Sequence, residues 1–180
     1  MLLARFENWS CGMSSILVTY FSQTGNTKKI AEAIYEALEG EKAIKAVDEV
    51  QEVDEFRMVF IGFPVHSHSV PFKIERLLKK IPQGKKIALF CTHGSHTGSR
   101  LSREALEHAV AVASKAKVLA TFSCRGKVSP AALEVLGKSP EHLAWTEMAG
   151  SAHGHPNEGD IEDARSFAKW VMTLSAHHRD

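Results

Sequence analysis

Apolar and polar residues follow two different periods along this chain. Short runs of apolar and β-branched residues, bounded by polar or glycine-containing segments, predict five strands. These strands are residues 16–21, 43–47, 56–63, 86–91 and 117–122, and the second has the weakest pattern. Elsewhere apolar residues recur every three or four positions, which predicts helices. The main helices are residues 27–38, the segment after Pro71 up to Lys80, and residues 100–114 and 161–174.

The alternation of strands and helices predicts an α/β fold, a doubly wound five-stranded parallel sheet with helices on both faces. Gly40 follows the first helix as a stop signal, and Asp160 is expected to cap the last helix. We expect one domain over residues 15–176. An insertion at about 124–158, with a short helix at 130–136, separates the fifth strand from the last helix.

Composition limits the partners that the protein can bind. The chain has 180 residues, 44% of them hydrophobic and 24% charged, so a single domain can bury roughly 70% of its unfolded surface. The net charge is +1 with His neutral, which gives no electrostatic reason to expect nucleic acid as a partner. No apolar run approaches the ~20 residues of a membrane-spanning helix, so no integral membrane segment is expected.

The cysteines and the first residues bear on location. Cys11, Cys91 and Cys124 cannot all pair, and none has the C-x-x-C spacing of a redox or zinc site. Residues 1–14 lack the apolar core of a secretory signal and are expected to form a disordered extension. We therefore expect a reducing, cytoplasmic location. Cys91 and Cys124 end neighbouring strands, where two inert buried thiols are favoured and a redox-active pair stays open.

The loop between the first strand and the first helix is rich in hydrogen-bond donors. It consists of Ser22, Gln23, Thr24, Gly25, Asn26 and Thr27. Hydroxyl and amide side chains at a helix N-terminus, together with its unpaired backbone N–H groups, can bind a phosphate without a cation. Gly25 lets the backbone approach a ligand closely. A simple capped turn needs only one such side chain, so a site for a single phosphate is favoured.

Residues 18–27, V-T-Y-F-S-Q-T-G-N-T, resemble the FMN-phosphate motif of flavodoxins, T/S-x-T-G-N-T, at every motif position. They match neither the G-x-G-x-x-G of dinucleotide-binding loops nor the Gly-Lys-Ser/Thr ending of nucleoside-triphosphate loops. The resemblance implies a flavodoxin-like sheet in the order 2-1-3-4-5. It also implies FMN as the cofactor, bound at the switch point between the first and third strands.

The same resemblance places the flavin ring between the loops that follow the third and fourth strands. The implied site residues are Pro64, Val65, His66 and Ser67 in one loop and Thr92, His93, Gly94 and Ser95 in the other. Flavodoxins commonly carry Trp or Tyr in these loops, and neither loop here contains one. His66 or His93 is expected to stack on the ring or to hydrogen-bond near its N5 or N1, and to titrate between about pH 5 and 8.

The loop histidines and the insertion also allow other interpretations. With Cys91, the histidines could ligate zinc, but no metal site is expected in the same crevice as a complete phosphate loop. His68 and His96 could equally lie in solvent. On the insertion, Trp145, Met148, His153 and His155 could form a lid over the flavin or a partner surface, or could only cover the edge of the sheet.

The resemblance implies an FMN protein that carries electrons between a reductase and an acceptor, which makes a redox partner protein the expected partner. No acid–base residue stands out for catalysis on a substrate. The alternative is an FMN-dependent NAD(P)H or quinone-type oxidoreductase, including a flavodoxin-like dehydrogenase of the protoporphyrinogen type. The near-neutral charge and the insertion favour that alternative. A flavin-free binding module is the least favoured of the three.

Overall fold

A five-stranded, all-parallel sheet in the order β2-β1-β3-β4-β5 forms the centre of the molecule. The computed structural model describes residues 15–66 and 69–177. The strands are β1 (Ile16–Tyr20), β2 (Lys42–Ala46), β3 (Met58–Pro64), β4 (Lys86–His93) and β5 (Lys117–Arg125). The predicted fold class and strand order are therefore confirmed.

Six α-helices accompany the sheet in the described residues. They are α1 (Asn26–Ala37), α2 (Phe72–Lys80), α3 (Arg100–Val112), α4 (Pro130–Leu136), α5 (Leu143–Gly150) and α6 (Glu158–His177), and short 3-10 turns lie at Val47–Glu49 and Pro140–His142. Helices α1 and α6 pack together on one face of the sheet, and α2 and α3 lie on the other. Because helices cover both faces, β3 is buried along nearly its whole length and reads as a continuous apolar run.

Each face of the sheet has its own hydrophobic core. On the face of α1 and α6, Phe167 stacks on Phe122 with ring centroids 5.3 Å apart and meets Phe60 edge-on at 6.2 Å. On the face of α2 and α3, Ile61 and Leu89 belong to the second core. Adjacent strand positions alternate between the two cores, so the parallel sheet separates them completely.

Cys91 and Cys124 lie on opposite faces of the sheet. Cys91 belongs to the α2–α3 core and Cys124 to the α1–α6 core, and the register pairs Cys91 with Ser123 and Cys124 with Thr92. Both thiols are free and buried, and burial raises the pKa of each far above its ordinary value. A redox-active pair is thus contradicted, since the two sulfur atoms cannot meet through the sheet.

Several predicted boundaries were wrong. Strand β5 continues to Arg125, three residues beyond the predicted end, because it pairs with β4 as far as His93. Helix α6 begins at Glu158 rather than 161. The backbone N–H of Asp160 donates to the side chain of Asn157, and Asp160 accepts from the N–H of Asn157 in return, so the two residues close this end together.

Some predictions fall on residues outside the described part of the chain. These are the expected N-terminal extension, residues 1–14, and the loop residues Ser67 and His68. Among the described residues, no helix combines the length and the apolar character needed to cross a bilayer.

Candidate functional site

The N-terminus of α1 has the features expected of an anion-binding site. Gly25 precedes the helix with φ of +88°, a conformation that other residues rarely adopt. No side chain caps the helix and no acidic residue lies in its first turn, so the positive end of the helix dipole faces outward unneutralised. Ser22 Oγ accepts from the N–H of Gly25 at 3.1 Å and keeps a proton that it can donate to a ligand.

Asn26 holds the loop together. Its side-chain nitrogen donates to Thr24 Oγ1 at 3.1 Å and to the carbonyl of Lys127 at 2.8 Å. Thr24 is exposed, and because its oxygen accepts from Asn26, its hydroxyl proton is available to an anion. Both N–H groups of the Asn26 amide are thereby used inside the protein.

Thr27 is buried in the protein rather than offered to a ligand. Its hydroxyl lies 2.8 Å from that of Thr92, and both side chains are almost fully buried. This bond ties the first turn of α1 to the end of β4. The sequence motif therefore combines two tasks, since Ser22 and Thr24 remain available for a phosphate while Asn26 and Thr27 fix the loop.

His93 is a neutral, buried residue at the end of β4. Its Nδ1 lies 3.1 Å from the carbonyl of Ser95 and 3.0 Å from its hydroxyl, so Nδ1 carries the proton and donates. Nε2 is buried with no hydrogen-bond partner. Burial lowers the pKa of His93 to about 4. The expectation that His93 titrates between about pH 5 and 8 is therefore wrong.

His66 lies two residues beyond the end of β3 and forms an antiparallel bridge with Ser69. Its N–H donates to the carbonyl of Ser69 at 3.1 Å and its carbonyl accepts from the N–H of Ser69 at 2.7 Å. The imidazole meets Phe21 edge-on at 6.2 Å, and partial burial lowers its pKa. Ser69 Oγ also lies 2.7 Å from Nδ1 of His108 on α3, which anchors Ser69 to that helix.

A cavity of about 970 Å³ brings most of the predicted site residues together. From the predicted set, it is lined by Gln23, Thr24, Asn26, Pro64, Val65, His66, Thr92, His93, Gly94 and Ser95. Ser22, Gly25 and Thr27 are not among the lining residues, and Ser67 lies outside the described part of the chain. A second groove, of about 560 Å³, lies between α3 and β5 and is lined in part by Gly98 of the loop after β4.

Apart from Trp145, which the sequence indicated as a possible lid residue, the rest of the lining was not predicted from the sequence. It comprises Leu101 on α3 and a wall from the insertion, which consists of Gly126, Lys127, Val128, Ser129, Ala132, Leu136, His142 and Trp145. The insertion was recognised in the sequence as unusual, and a lid was one of its three interpretations. Its orientation could not be predicted, because α5 has no marked apolar face that would show which side it buries.

Four hydrogen bonds anchor the two ends of the insertion beside the loop that precedes α1. The N–H of Gly126 donates to the carbonyl of His93 at 2.9 Å, and that of Lys127 donates to the carbonyl of His155 at 2.8 Å. The carbonyl of Lys127 accepts from Asn26, and Lys29 Nζ donates to the carbonyl of Pro156 at 2.8 Å. The side chain of His155 in turn lies 2.6 Å from Asp160. The insertion is therefore an integral part of the site.

The residues present fit FMN. The uncapped end of α1 with Ser22 and Thr24 suits a phosphate dianion. None of the described residues that line the cavity has a carboxylate, so no lining side chain would repel it. The cavity volume lies at the upper end of the roughly 300–1,000 Å³ of small-molecule sites. Across the described residues, no group of three or more His, Cys, Asp or Glu side chains is arranged to hold a metal ion.

Comparison with known proteins supports the same class. A family model for the flavodoxin domain matches residues 17–169. A curated relative, the flavodoxin-like domain-containing protein BilS of Clostridioides difficile (strain CD3), is 32% identical over 168 residues, which cover 87% of this chain and 95% of BilS. The chain therefore belongs to the flavodoxin domain family.

Solved structures share the fold at lower sequence identity. A flavodoxin, WrbA-like protein from Agrobacterium tumefaciens has a TM-score of 0.62 at 17% identity, covering 92% of this chain and 99% of its own. Flavodoxin 2 from Bacillus cereus has a TM-score of 0.58 at 19% identity, with coverage of 89% and 99%. A Lactobacillus acidophilus flavoprotein in complex with FMN has a TM-score of 0.51 at 19% identity, covering 61% and 92%. The family match and these neighbours support the prediction of FMN as the cofactor.

Proposed function

We propose that this protein binds FMN in the 970 Å³ cavity and carries electrons between a reductase and an acceptor protein. One observation carries the proposal. The uncapped N-terminus of α1, with Thr24 beside it, and the loops after β3 and β4 all lie at one cavity. This is the switch point of a sheet in the order 2-1-3-4-5, where such folds bind their ligands.

Each part of the cavity has its own task in this proposal. Ser22, Thr24 and the first N–H groups of α1 bind the phosphate. The loops after β3 and β4 face the ring, and the backbone N–H of Gly94, just beyond the last paired residue of β4, is a suitable donor. Bound FMN supplies the redox chemistry, since no thiol is found among the described residues that line the cavity.

Two features of the cavity lining favour electron transfer over acid–base catalysis. Among the described lining residues none is a carboxylic acid, and His93 is neutral because its pKa lies at about 4. With a net charge of only +1, the protein docks on its partners through local contacts rather than through a strong overall field.

The size of the cavity supports a second candidate, an FMN-dependent NAD(P)H or quinone-type oxidoreductase. Helices α4 and α5 extend the cavity beyond the three loops, and this larger space would admit a small acceptor beside the flavin. The two candidates differ in what the protein does alone. A carrier needs a reductase to accept electrons from NAD(P)H, whereas an oxidoreductase oxidises NAD(P)H without a partner.

Spectroscopy and flavin titration test the proposal. We expect a yellow protein that binds FMN more tightly than riboflavin and FAD poorly, because the loop holds one terminal phosphate. The double variant Thr24→Ala, Asn26→Ala should lose the preference for FMN over riboflavin. Reduced holoprotein should pass electrons to cytochrome c and should not oxidise NADPH alone. A protein that takes up no FMN would refute the proposal, and partner-free NADPH oxidation would favour the second candidate.

A further inference from the structure

The apolar wall of the cavity comes from the insertion. Val128, Ala132, Leu136 and Trp145 line the cavity from this side. Neither loop that faces the flavin contains Trp or Tyr. The only aromatic carbocycle among the described lining residues is therefore the indole of Trp145.

The indole lies at the ring end of the cavity, not at the phosphate end. A Cβ atom placed on Gly94 would lie 3.7 Å from Cζ2 of Trp145 and 2.4 Å from Cγ2 of Val128. Gly94 belongs to the loop after β4, so Trp145 and Val128 occupy the space that a side chain of this loop would fill. Trp145 itself is half-buried, which leaves part of the indole open to the cavity.

Arg125 fixes α5 in this position. Its Nε donates to the carbonyl of Ser95 at 3.2 Å, and its guanidinium also donates to the carbonyl of Met148 at 3.1 Å and to Ser151 Oγ at 2.6 Å. The end of α5 is thereby bonded to the same loop that carries Gly94. Ala149 and Ala152, on either side of Ser151, are fully buried.

We infer that Trp145 is the aromatic side chain on which the FMN ring system packs, and that α4 and α5 belong to the flavin-binding site. The inference rests on the proposed binding of FMN. A flat ring gains both buried area and aromatic contact against an indole, which the small polar loops cannot offer. In this arrangement the N-terminus of α1 binds the phosphate of FMN, and the insertion binds its ring system.

Flavin titrations separate the two tasks. Trp145→Ala should weaken binding of FMN and of riboflavin by the same factor, about tenfold or more, because the contact involves only the ring. Trp145→Phe should retain most of the affinity for both. Thr24→Val, at the other end of the cavity, should weaken FMN alone. Leu143→Ala is the matched control, since Leu143 lies on the same helix, is 50% exposed and does not line the cavity.

Tryptophan fluorescence provides an independent measurement. Titrating FMN into the apoprotein should quench the emission, and Trp145→Phe should remove most of that quenching. Trp170→Phe should leave it nearly unchanged, because Trp170 is exposed on α6 away from the cavity. Thermal melts of each variant show whether it is folded.

The outcomes distinguish the inference from the proposed function. If wild-type protein binds FMN, and both Trp145→Ala and Trp145→Phe bind FMN with the wild-type affinity, the inference is overturned while the proposed function stands. Loss of FMN binding with riboflavin binding unchanged would also overturn it, because the effect would then lie at the phosphate. A wild-type protein without affinity for FMN would refute the proposed function itself.

Discussion

Asn26 connects two distant segments of the chain at the N-terminus of α1. Its amide bonds both Thr24 and the carbonyl of Lys127, 101 residues away in sequence. Gly126 lies directly against it, since a Cβ atom at this position would come within 2.9 Å of Asn26 Nδ2. The phosphate loop and the insertion can approach this closely only because residue 126 has no side chain.

Gly126→Ala should therefore weaken FMN binding. The added methyl group would displace Asn26 and loosen its bond to Thr24, and we expect an affinity about tenfold lower, in line with overpacking costs of ~1–3 kcal/mol. Isothermal titration with FMN measures the change. Gly154→Ala serves as the control, because no atom lies within 4 Å of its added Cβ. Equal affinities in the two variants would contradict the role of the Gly126–Asn26 contact.

His93 should make stability depend on pH below neutrality. Burial lowers its pKa from 6.5 to about 4, so between these values the unfolded chain binds more protons than the folded protein. Stability is fully present above about pH 6.5 and is lost as the pH falls towards 4, by up to ~3 kcal/mol.

Urea unfolding between pH 4 and 7 measures this effect. His93→Asn keeps an amide N–H near Ser95 without a titratable ring and should flatten the pH dependence. Val171→Ala, which truncates a buried and non-titrating side chain of α6, controls for a general loss of stability and should keep the wild-type slope. The same slope in His93→Asn as in wild type would show that another group is responsible.

At the scale of elements, the insertion depends on bonds made at its two ends more than on its own helices. Helix α4 has no buried residue and α5 has one, Ala149. Arg125 bonds the end of α5 to the loop after β4, and the backbone of residues 126 and 127 is bonded to His93 and His155. These polar contacts, rather than a large core, set the position of the cavity wall.

Arg125→Met should loosen α5. The substitution leaves the carbonyls of Ser95 and Met148 without their charged donor, and we expect a loss of about 2 kcal/mol in stability. Hydrogen exchange of peptides covering Leu143–Gly150 should become faster, and flavin affinity should fall. Arg165→Met removes a guanidinium that bonds only exposed carboxylates, Glu36 and Glu162, and should change neither property. If hydrogen exchange of α5 were the same in Arg125→Met as in wild type, Arg125 would not be what holds α5 in place.

At the scale of the whole molecule, the sheet divides the interior into two separate cores, and in the described part of the chain each core contains one thiol. Cys91 is fully buried and Cys124 is 3% exposed. Their reactivity therefore reports on opening of the whole domain. A ligand that binds only the folded state should protect both thiols to the same extent.

Thiol labelling tests this coupling. In a Cys11→Ser background, Cys91 and Cys124 should react with a maleimide only through unfolding, and a free FMN concentration of about 100 times Kd should slow both reactions about a hundredfold. Mass spectrometry of the labelled peptides follows each site. Rapid labelling of either thiol in the native protein would show that one core opens independently of the other.

Much of the architecture and of the proposed phosphate site is determined locally along the chain. The apolar runs of β1, β3 and β4 predict buried strands because helices cover both faces of the sheet. The motif from Ser22 to Thr27 indicates an anion site because its residues lie at the N-terminus of the helix that follows directly in the sequence. Such features depend on neighbours in sequence, so they can be predicted without a structure.

Only the tertiary structure decided which side chains complete the cavity. The pKa of His93 depends on burial by several segments of the chain. The separation of Cys91 from Cys124 depends on the pleat of two paired strands. The position of Trp145 depends on contacts made by Arg125 and Gly94. Helix α5 has no marked apolar face, so its sequence does not specify the surface it covers. These properties arise from contacts between residues far apart in sequence, and periodicity and motif spacing contain no information about such contacts.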